Sequence, residues 1–333
     1  MPHDFSRVDA FVAQLMKEVP LAGVALFIAQ TGVVLHQRNY GSIDGNTRMA
    51  VASASKWVSA AVIATLLDDG TLHLDERASD YIESFAGDKA AITLRQLLSH
   101  TSGLPKGESP CVDQPTMTLA ECVDEIARLP MDAAPATVFA YGENSFQVAG
   151  RMAEVATGKS FEDLFRARLA APLGMTNSDW GYRSRAPELL RINNPRLGSG
   201  LRTTLRDLSR FMLMLSNAGE LSGVRVLQSR TVERMFEDHT FGAPIAFSPN
   251  LFAGAGYGLS CWRDEADAQG GAIQVSSPGA YGTTPWLDLP RRLGCVFMCR
   301  NSYARLAAPT RQLQTLIRES VVNRSRPTPN PSP

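Results

Sequence analysis

Apolar residues recur at helical spacing over residues 4–19, where Phe5, Val8, Phe11, Val12, Leu15 and Met16 share one face. Two runs that read as strands follow, 23–30 and 33–39, joined by a tight turn at Thr31-Gly32. The next periodic stretch predicts a helix over 55–69, stopped by Gly70. From there to about residue 240 the pattern is mostly helical, over 94–99, 119–129, 145–157, 161–170, 205–218 and 231–238. Thr93, Ser160 and Thr204 stand where N-caps belong, and Gly158 and Gly219 where C-caps belong. Strand patterns return at 257–263, 272–276, 284–289 and 293–300, before a closing helix over 305–322.

The strands therefore lie at the two ends of the chain and the helices in its middle. This order predicts an α/β (α+β) fold: one antiparallel sheet built from both ends, flanked by the terminal helices, with an all-α lobe inserted. One domain is expected over 1–322, its α/β lobe formed by about 1–60 plus 245–322 and its helical lobe by about 61–244. The Pro-, Ser- and Arg-rich tail 323–333 reads as disordered. A site would lie in the cleft between the lobes.

Composition narrows the partners. Of 333 residues, 44% are apolar and 20% charged, which is ordinary for a globular protein, and Lys+Arg and Asp+Glu both total 33. That balance predicts neither nucleic acid nor an anionic membrane as a partner. No stretch reaches the roughly 20 apolar residues of a membrane span, and the N-terminus lacks the apolar core of a secretory signal. The cysteines stand at 111, 122, 261, 295 and 299 without a CxxC pair, and are expected to be free, mostly buried thiols of a reducing, cytoplasmic compartment. The histidines are isolated from other ligand-type residues, so no metal is implied. Neither a dinucleotide-binding string nor a Walker string is present, and no cofactor is expected. A Gly-x-Ser-x-Gly elbow is missing as well.

The candidate chemistry begins at Val51-Ala-Ser53-Ala-Ser55-Lys56. Ser-x-x-Lys at the start of a helix puts both side chains on one face, close enough for Oγ and Nζ to hydrogen-bond. A serine hydroxyl needs an adjacent base, and a lysine can serve if its ammonium is destabilised. The helix N-terminus adds free N–H groups and partial positive charge near a reacting carbonyl. Of the five lysines only Lys56 has a serine three residues before it.

Around this pair, Leu66-Leu-Asp-Asp-Gly-Thr-Leu-His-Leu-Asp75, Leu97-Leu-Ser-His-Thr-Ser-Gly-Leu-Pro105, Phe139-Ala-Tyr141-Gly, Pro172-Leu-Gly-Met175 and Gly200-Leu-Arg-Thr-Thr-Leu-Arg-Asp207 follow in order. With them the chain resembles, over roughly residues 20 to 320, the serine β-lactamase-related and penicillin-binding-protein-like hydrolases. The resemblance implies a β-lactamase/transpeptidase-like fold with Ser53 as nucleophile, Lys56 as base and Tyr141 sharing the proton transfer. It implies an oxyanion hole from the backbone N–H groups of Ser53 and Ala280, and a structural role for His100. Glu143 stands where many relatives have asparagine, a departure at a substrate contact.

The family's third element, a cleft-lining strand with Lys-Thr-Gly or a similar string, matches Ser277-Pro-Gly279-Ala280-Tyr281 here, followed by Trp286. Ser277 therefore offers no cation where relatives grip a substrate carboxylate; Arg263, Arg300 or Arg305 are possible substitutes. Gly279 suits a strand that faces a substrate backbone closely. Tyr281, Trp286 and Trp57 are candidates for an apolar acyl pocket, Trp57 equally for core. The expected substrate is thus a small ester or amide: a short-chain or aryl ester handled by a carboxylesterase, with a β-lactamase or D-amino-acid peptidase as the rival. A reading of another class is a fold that has lost catalysis and serves in binding.

Overall fold

The computed structural model describes residues 3–114, 116–249 and 256–321. Seven antiparallel strands form its main sheet, in the order Val33–Gly41, Gly23–Gln30, Leu293–Cys299, Thr284–Asp288, Ala272–Ser276, Trp262–Ala266, Gly256–Tyr257. The first strand of the chain lies beside the last, in a register that pairs Val24 with Cys299 and Gln30 with Leu293. The sheet is closed from both ends of the sequence, as the placing of the strand patterns predicted.

Why these segments are strands is visible in their two faces. Every residue of Gly23–Gln30 is buried. Val24, Leu26 and Ile28 pack with Phe5, Val8 and Val12 of the first helix, Ser6–Glu18, and with Leu306, Leu313 and Ile317 of the last, Tyr303–Ser320. Ala25, Phe27 and Ala29 face the opposite core, which runs into the helical part of the molecule. Alternation thus divides one apolar run between two cores. The turn after it holds Thr31 and Gly32 at φ 50° and 78°, the left-handed pair that a two-residue hairpin requires.

The central helix, Ser55–Asp68, is buried almost all round from Ser55 to Leu66. Helix Asn144–Thr157 packs against it and ends on Gly158 at φ 67°. Thr93, Ser160 and Thr204 each accept a hydrogen bond from the backbone N–H three residues on, as capping predicts. No helix among the described residues is long and apolar enough to cross a membrane.

Three expectations change. The strand foreseen over 257–263 is two strands, because Ser260 turns at φ 72° and the Leu259 N–H leaves the sheet to bond Met235. Cys111 and Cys122 form a disulfide, leaving Cys261, Cys295 and Cys299 as the free thiols among the described residues. Disulfides persist in oxidising surroundings, so the cysteines no longer speak for a reducing compartment. Trp57 and Trp286 are fully buried core, packed in the helical and in the terminal-helix cluster respectively, and neither lines an acyl pocket. The tail expected over 323–333 lies outside the described residues.

One buried acid gives the fold a pH signature. Glu162 is 2% exposed, and burial pushes its carboxyl up to about 7 despite Arg166 2.5 Å away. In an unfolded chain a glutamate titrates near about 4.3. Between these values the native protein holds a proton that the unfolded chain has lost, so stability falls as pH rises through that window. Denaturant unfolding of Glu162→Gln is expected to lose this slope, which amounts to on the order of 3 kcal/mol in the native sequence.

Candidate active site

Ser53 sits in a single 3-10 turn, Ala52–Ala54, that runs directly into the Ser55–Asp68 helix. The turn is fixed from several sides. Ala52 is held at φ 47°, a left-handed conformation that costs a non-glycine residue free energy and persists only where the surroundings impose it. The Val51 N–H donates to the Leu201 carbonyl at 3.0 Å. The buried hydroxyl of Ser55 donates to the Ala52 carbonyl at 2.6 Å and accepts from the Leu201 N–H at 3.0 Å. Ser55 is thereby consumed in structure, whereas Ser53 is half-buried and its Oγ has no hydrogen-bond partner among the described residues.

The strand Ala272–Ser276 brings the second wall. Beyond it the Ser277 hydroxyl donates to the Ser53 carbonyl at 3.2 Å. A Cβ on Gly279 would lie 1.9 Å from the Val51 carbonyl oxygen, so only glycine lets this segment approach the turn that carries Ser53. The approach is to protein backbone, and this is the physical reason for the glycine. Next to it the Ala280 N–H donates to no acceptor among the described residues, while the Ala280 carbonyl accepts from Tyr303 at 3.0 Å. The Ser53 N–H is one of the first-turn donors that a helix leaves unpaired. Ser277 is 4% exposed and turned to the Ser53 backbone, and Tyr281 is 45% exposed.

Lys56 departs from the expected arrangement. It is fully buried, and its Nζ donates to Glu143 Oε1 at 2.5 Å and to the Gly198 carbonyl at 3.0 Å, not to Ser53. The Nζ also lies 4.7 Å from the centre of the Tyr141 ring and 5.3 Å from that of Phe146. Burial works against the ammonium, but the Glu143 carboxylate and the Tyr141 oxygen outweigh it and hold Lys56 above its ordinary pKa. The contact with Glu143 thus favours the ammonium over the free amine.

Glu143, expected at a substrate contact, has its carboxylate engaged on both oxygens: Oε1 takes Lys56 and Oε2 accepts from the Ser199 hydroxyl at 3.0 Å. Its position at the start of helix Asn144–Thr157 aims it back at the Ser55–Asp68 helix. Gly198 completes the fit, since a Cβ there would come 2.2 Å from Glu143 Oε2 and 2.9 Å from Lys56 Nζ. Gly198 and Ser199 escaped the sequence reading; the run Leu197-Gly-Ser-Gly200 was their only trace.

Tyr141 stacks on Trp262 at 5.4 Å between ring centres and lies 4.4 Å from the His100 ring. The buried His100 holds the segment: its carbonyl accepts from Ala140 at 2.9 Å and its Nδ1 accepts from the Gly142 N–H at 3.4 Å. Burial and the Lys56 charge push the imidazole well below its usual pKa, so it is a neutral support. Of the three arginines, Arg263 is spent on the Phe236 and Gly270 carbonyls. Arg300 is exposed in a cavity that Tyr281 also lines.

This architecture and the ordered motifs find their match in the comparisons. The β-lactamase family pattern covers residues 8–318. The chain belongs to the β-lactamase family. Over 190 residues it is 33% identical to penicillin-binding protein 4 of Amycolatopsis lactamdurans, an alignment covering 54% of this chain and 50% of that protein. Over 213 residues it is 29% identical to esterase EstB of Burkholderia gladioli, covering 56% and 54%. The chain thus spans about half the length of these curated relatives. A β-lactamase-like protein of Bacteroides dorei superposes with a TM-score of 0.80 at 36% identity, over 90% of this chain and 91% of that one. A family VIII carboxylesterase shares the fold, with a TM-score of 0.71 at 19% identity over 93% and 97% of the two chains.

The Lys56–Glu143 pair yields a direct expectation. Glu143→Gln leaves a fully buried ammonium without its counter-charge, a change that costs about 3–5 kcal/mol where such pairs are broken. Equilibrium denaturation of the variant measures it; an unchanged stability would mean that Lys56 gives up its proton at little cost.

Proposed function

We propose that this member of the β-lactamase family is a serine hydrolase working through an acyl-enzyme, and that it acts as a carboxylesterase on short-chain or aryl esters. The observation that carries the reading is Ser53: a half-buried hydroxyl on a strained turn, near the Ala280 N–H, neither of them with a hydrogen-bond partner among the described residues.

In the proposed reaction Ser53 Oγ bonds to the ester carbonyl carbon as its proton passes to the phenolic oxygen of Tyr141, which hands its own proton to the Lys56–Glu143 pair. Glu143 keeps Lys56 charged, so the lysine serves as a fixed positive charge and Tyr141 carries the proton. The oxyanion rests on the Ser53 and Ala280 N–H groups, which are oriented before charge develops there. Collapse breaks the bond to the alcohol oxygen, and Tyr141 returns the proton to it. Water then attacks the acyl-enzyme in the same way and releases the acid.

Two features favour an ester over a β-lactam or a D-peptide. Ser277 offers a hydroxyl rather than a cation beside the reacting centre, and that hydroxyl is already bonded to the Ser53 carbonyl. Esterase EstB is among the relatives; penicillin-binding protein 4, also among them, is what makes the amide alternative worth testing. The test is turnover of p-nitrophenyl acetate, p-nitrophenyl butyrate and nitrocefin by the native protein and by Ser53→Ala. Ester hydrolysis that falls by about a thousandfold or more in the variant, with little nitrocefin cleavage, is expected. Efficient nitrocefin cleavage would move the assignment to the amide class. No turnover, and no Ser53-dependent labelling by a fluorophosphonate, would leave a binding protein on this fold.

A further inference from the structure

A cavity of about 550 Å³ opens beside the candidate site, lined by Met49 and Ala50, by the loop 182–187 and by Tyr281. Six arginines line it as well: Arg48, Arg183, Arg185, Arg196, Arg202 and Arg300. Among the described residues no aspartate or glutamate does. Ala50 precedes Ser53 by three residues and Tyr281 follows Ala280, so the cavity adjoins both the nucleophile turn and the expected oxyanion donor.

The six cations do not have equal work. Arg202 is 3% exposed and forks onto both oxygens of Asp179 at 2.7 Å, and also donates to the Ser184, Ala186 and Glu188 carbonyls. Arg48 donates to the carbonyls of Ala186, Pro187 and Glu188. These two shape the loop. Arg196 pairs with Glu108 and donates to Ser199, and Arg183 pairs with Asp113. Arg185 and Arg300 are exposed and have no hydrogen-bonding or ionic partner among the described residues. Three carboxylates, Asp179, Asp113 and Glu108, therefore face six guanidinium groups, and the excess positive charge falls inside the concavity.

Concentrating unpaired guanidinium groups in a cleft is costly unless an anion shares it, and the guanidinium fork suits a carboxylate or a phosphate. We propose that this cavity is an anion-binding subsite, and that the natural substrate is an acyl donor bearing a carboxylate or phosphate at its far end. The inference rests on the esterase reading and adds the substrate class to it. The cavity touches Tyr281 and Ala50 but neither Ser53 nor Ser277. The anion is thus held away from the scissile bond, at a different place from the grip that Ser277 lacks.

Matched p-nitrophenyl esters test it: the monoesters of succinate, adipate and suberate against butyrate, hexanoate and octanoate. For at least one chain length, kcat/KM is expected to favour the anionic ester by tenfold or more. That preference should shrink as salt is raised and fall toward one in the double variant Arg185→Gln/Arg300→Gln. No preference at any length, or one that the double variant leaves intact, overturns the proposal. Binding is measured separately, by calorimetry with adipate and with hexyl phosphate on Ser53→Ala, so that failure of the esterase reading is distinguishable. Saturable binding of either probe that the two arginine substitutions abolish supports the subsite even if no ester is hydrolysed, and shows which anion it prefers. Absence of binding by both probes overturns it.

Discussion

A single buried ion pair organises the centre of this molecule. Lys56 is fully enclosed, and an ammonium in such a place persists only if a counter-charge and hydrogen-bond acceptors replace the water it has lost. Glu143 and the Gly198 carbonyl supply them. These partners come from three separate segments: the Ser55–Asp68 helix, the start of Asn144–Thr157 and the loop ahead of Arg202. The pair therefore ties the Ser53 turn to the helical part of the molecule, and it requires glycine at 198 to do so. From Glu143 the polar contacts run on through Ser199 and Arg196 to Glu108, so the buried charge is connected to the arginine-lined cavity.

The same pair decides how the chemistry is divided. A lysine acting alone as base must be neutral, and burial by itself would favour that state. Here the carboxylate reverses the balance and favours the ammonium; in the proposed reaction that leaves the proton transfer to Tyr141. The aromatic packing of Tyr141 against Trp262 and His100 fixes the ring beside Lys56. On the opposite wall, Gly279 and the Ser277 hydroxyl hold a cleft-lining segment against the backbone around Ser53. Strain at Ala52 is sustained because neighbours on both sides bind the turn.

Much of the fold was legible in the sequence because its signals are local. The strand over 23–30 is one apolar run whose alternate residues serve two cores, and the caps at Thr93, Ser160 and Thr204 are short-range hydrogen bonds. What was missed is held by distant partners. Glu143 reads as a departure from a motif until Lys56, 87 residues away, is brought to it. The Cys111–Cys122 disulfide, 11 residues apart, has no spacing signature of its own. Trp286 looks like a pocket residue beside Tyr281, but the strand's alternation turns it into the core under the terminal helices. The arginine cavity gathers residues from 48 to 300, and zero net charge concealed it.

The central claim is that Lys56 is a charged residue at rest. The most direct test is the pH titration of its side chain by NMR, with labelled lysine and Lys56→Arg to assign the resonance. The account predicts an ammonium signal that persists from neutral pH to above the value of an ordinary lysine, about 10.4. A Lys56 amine that is already neutral near pH 7 would contradict it, and would return the role of base to the lysine.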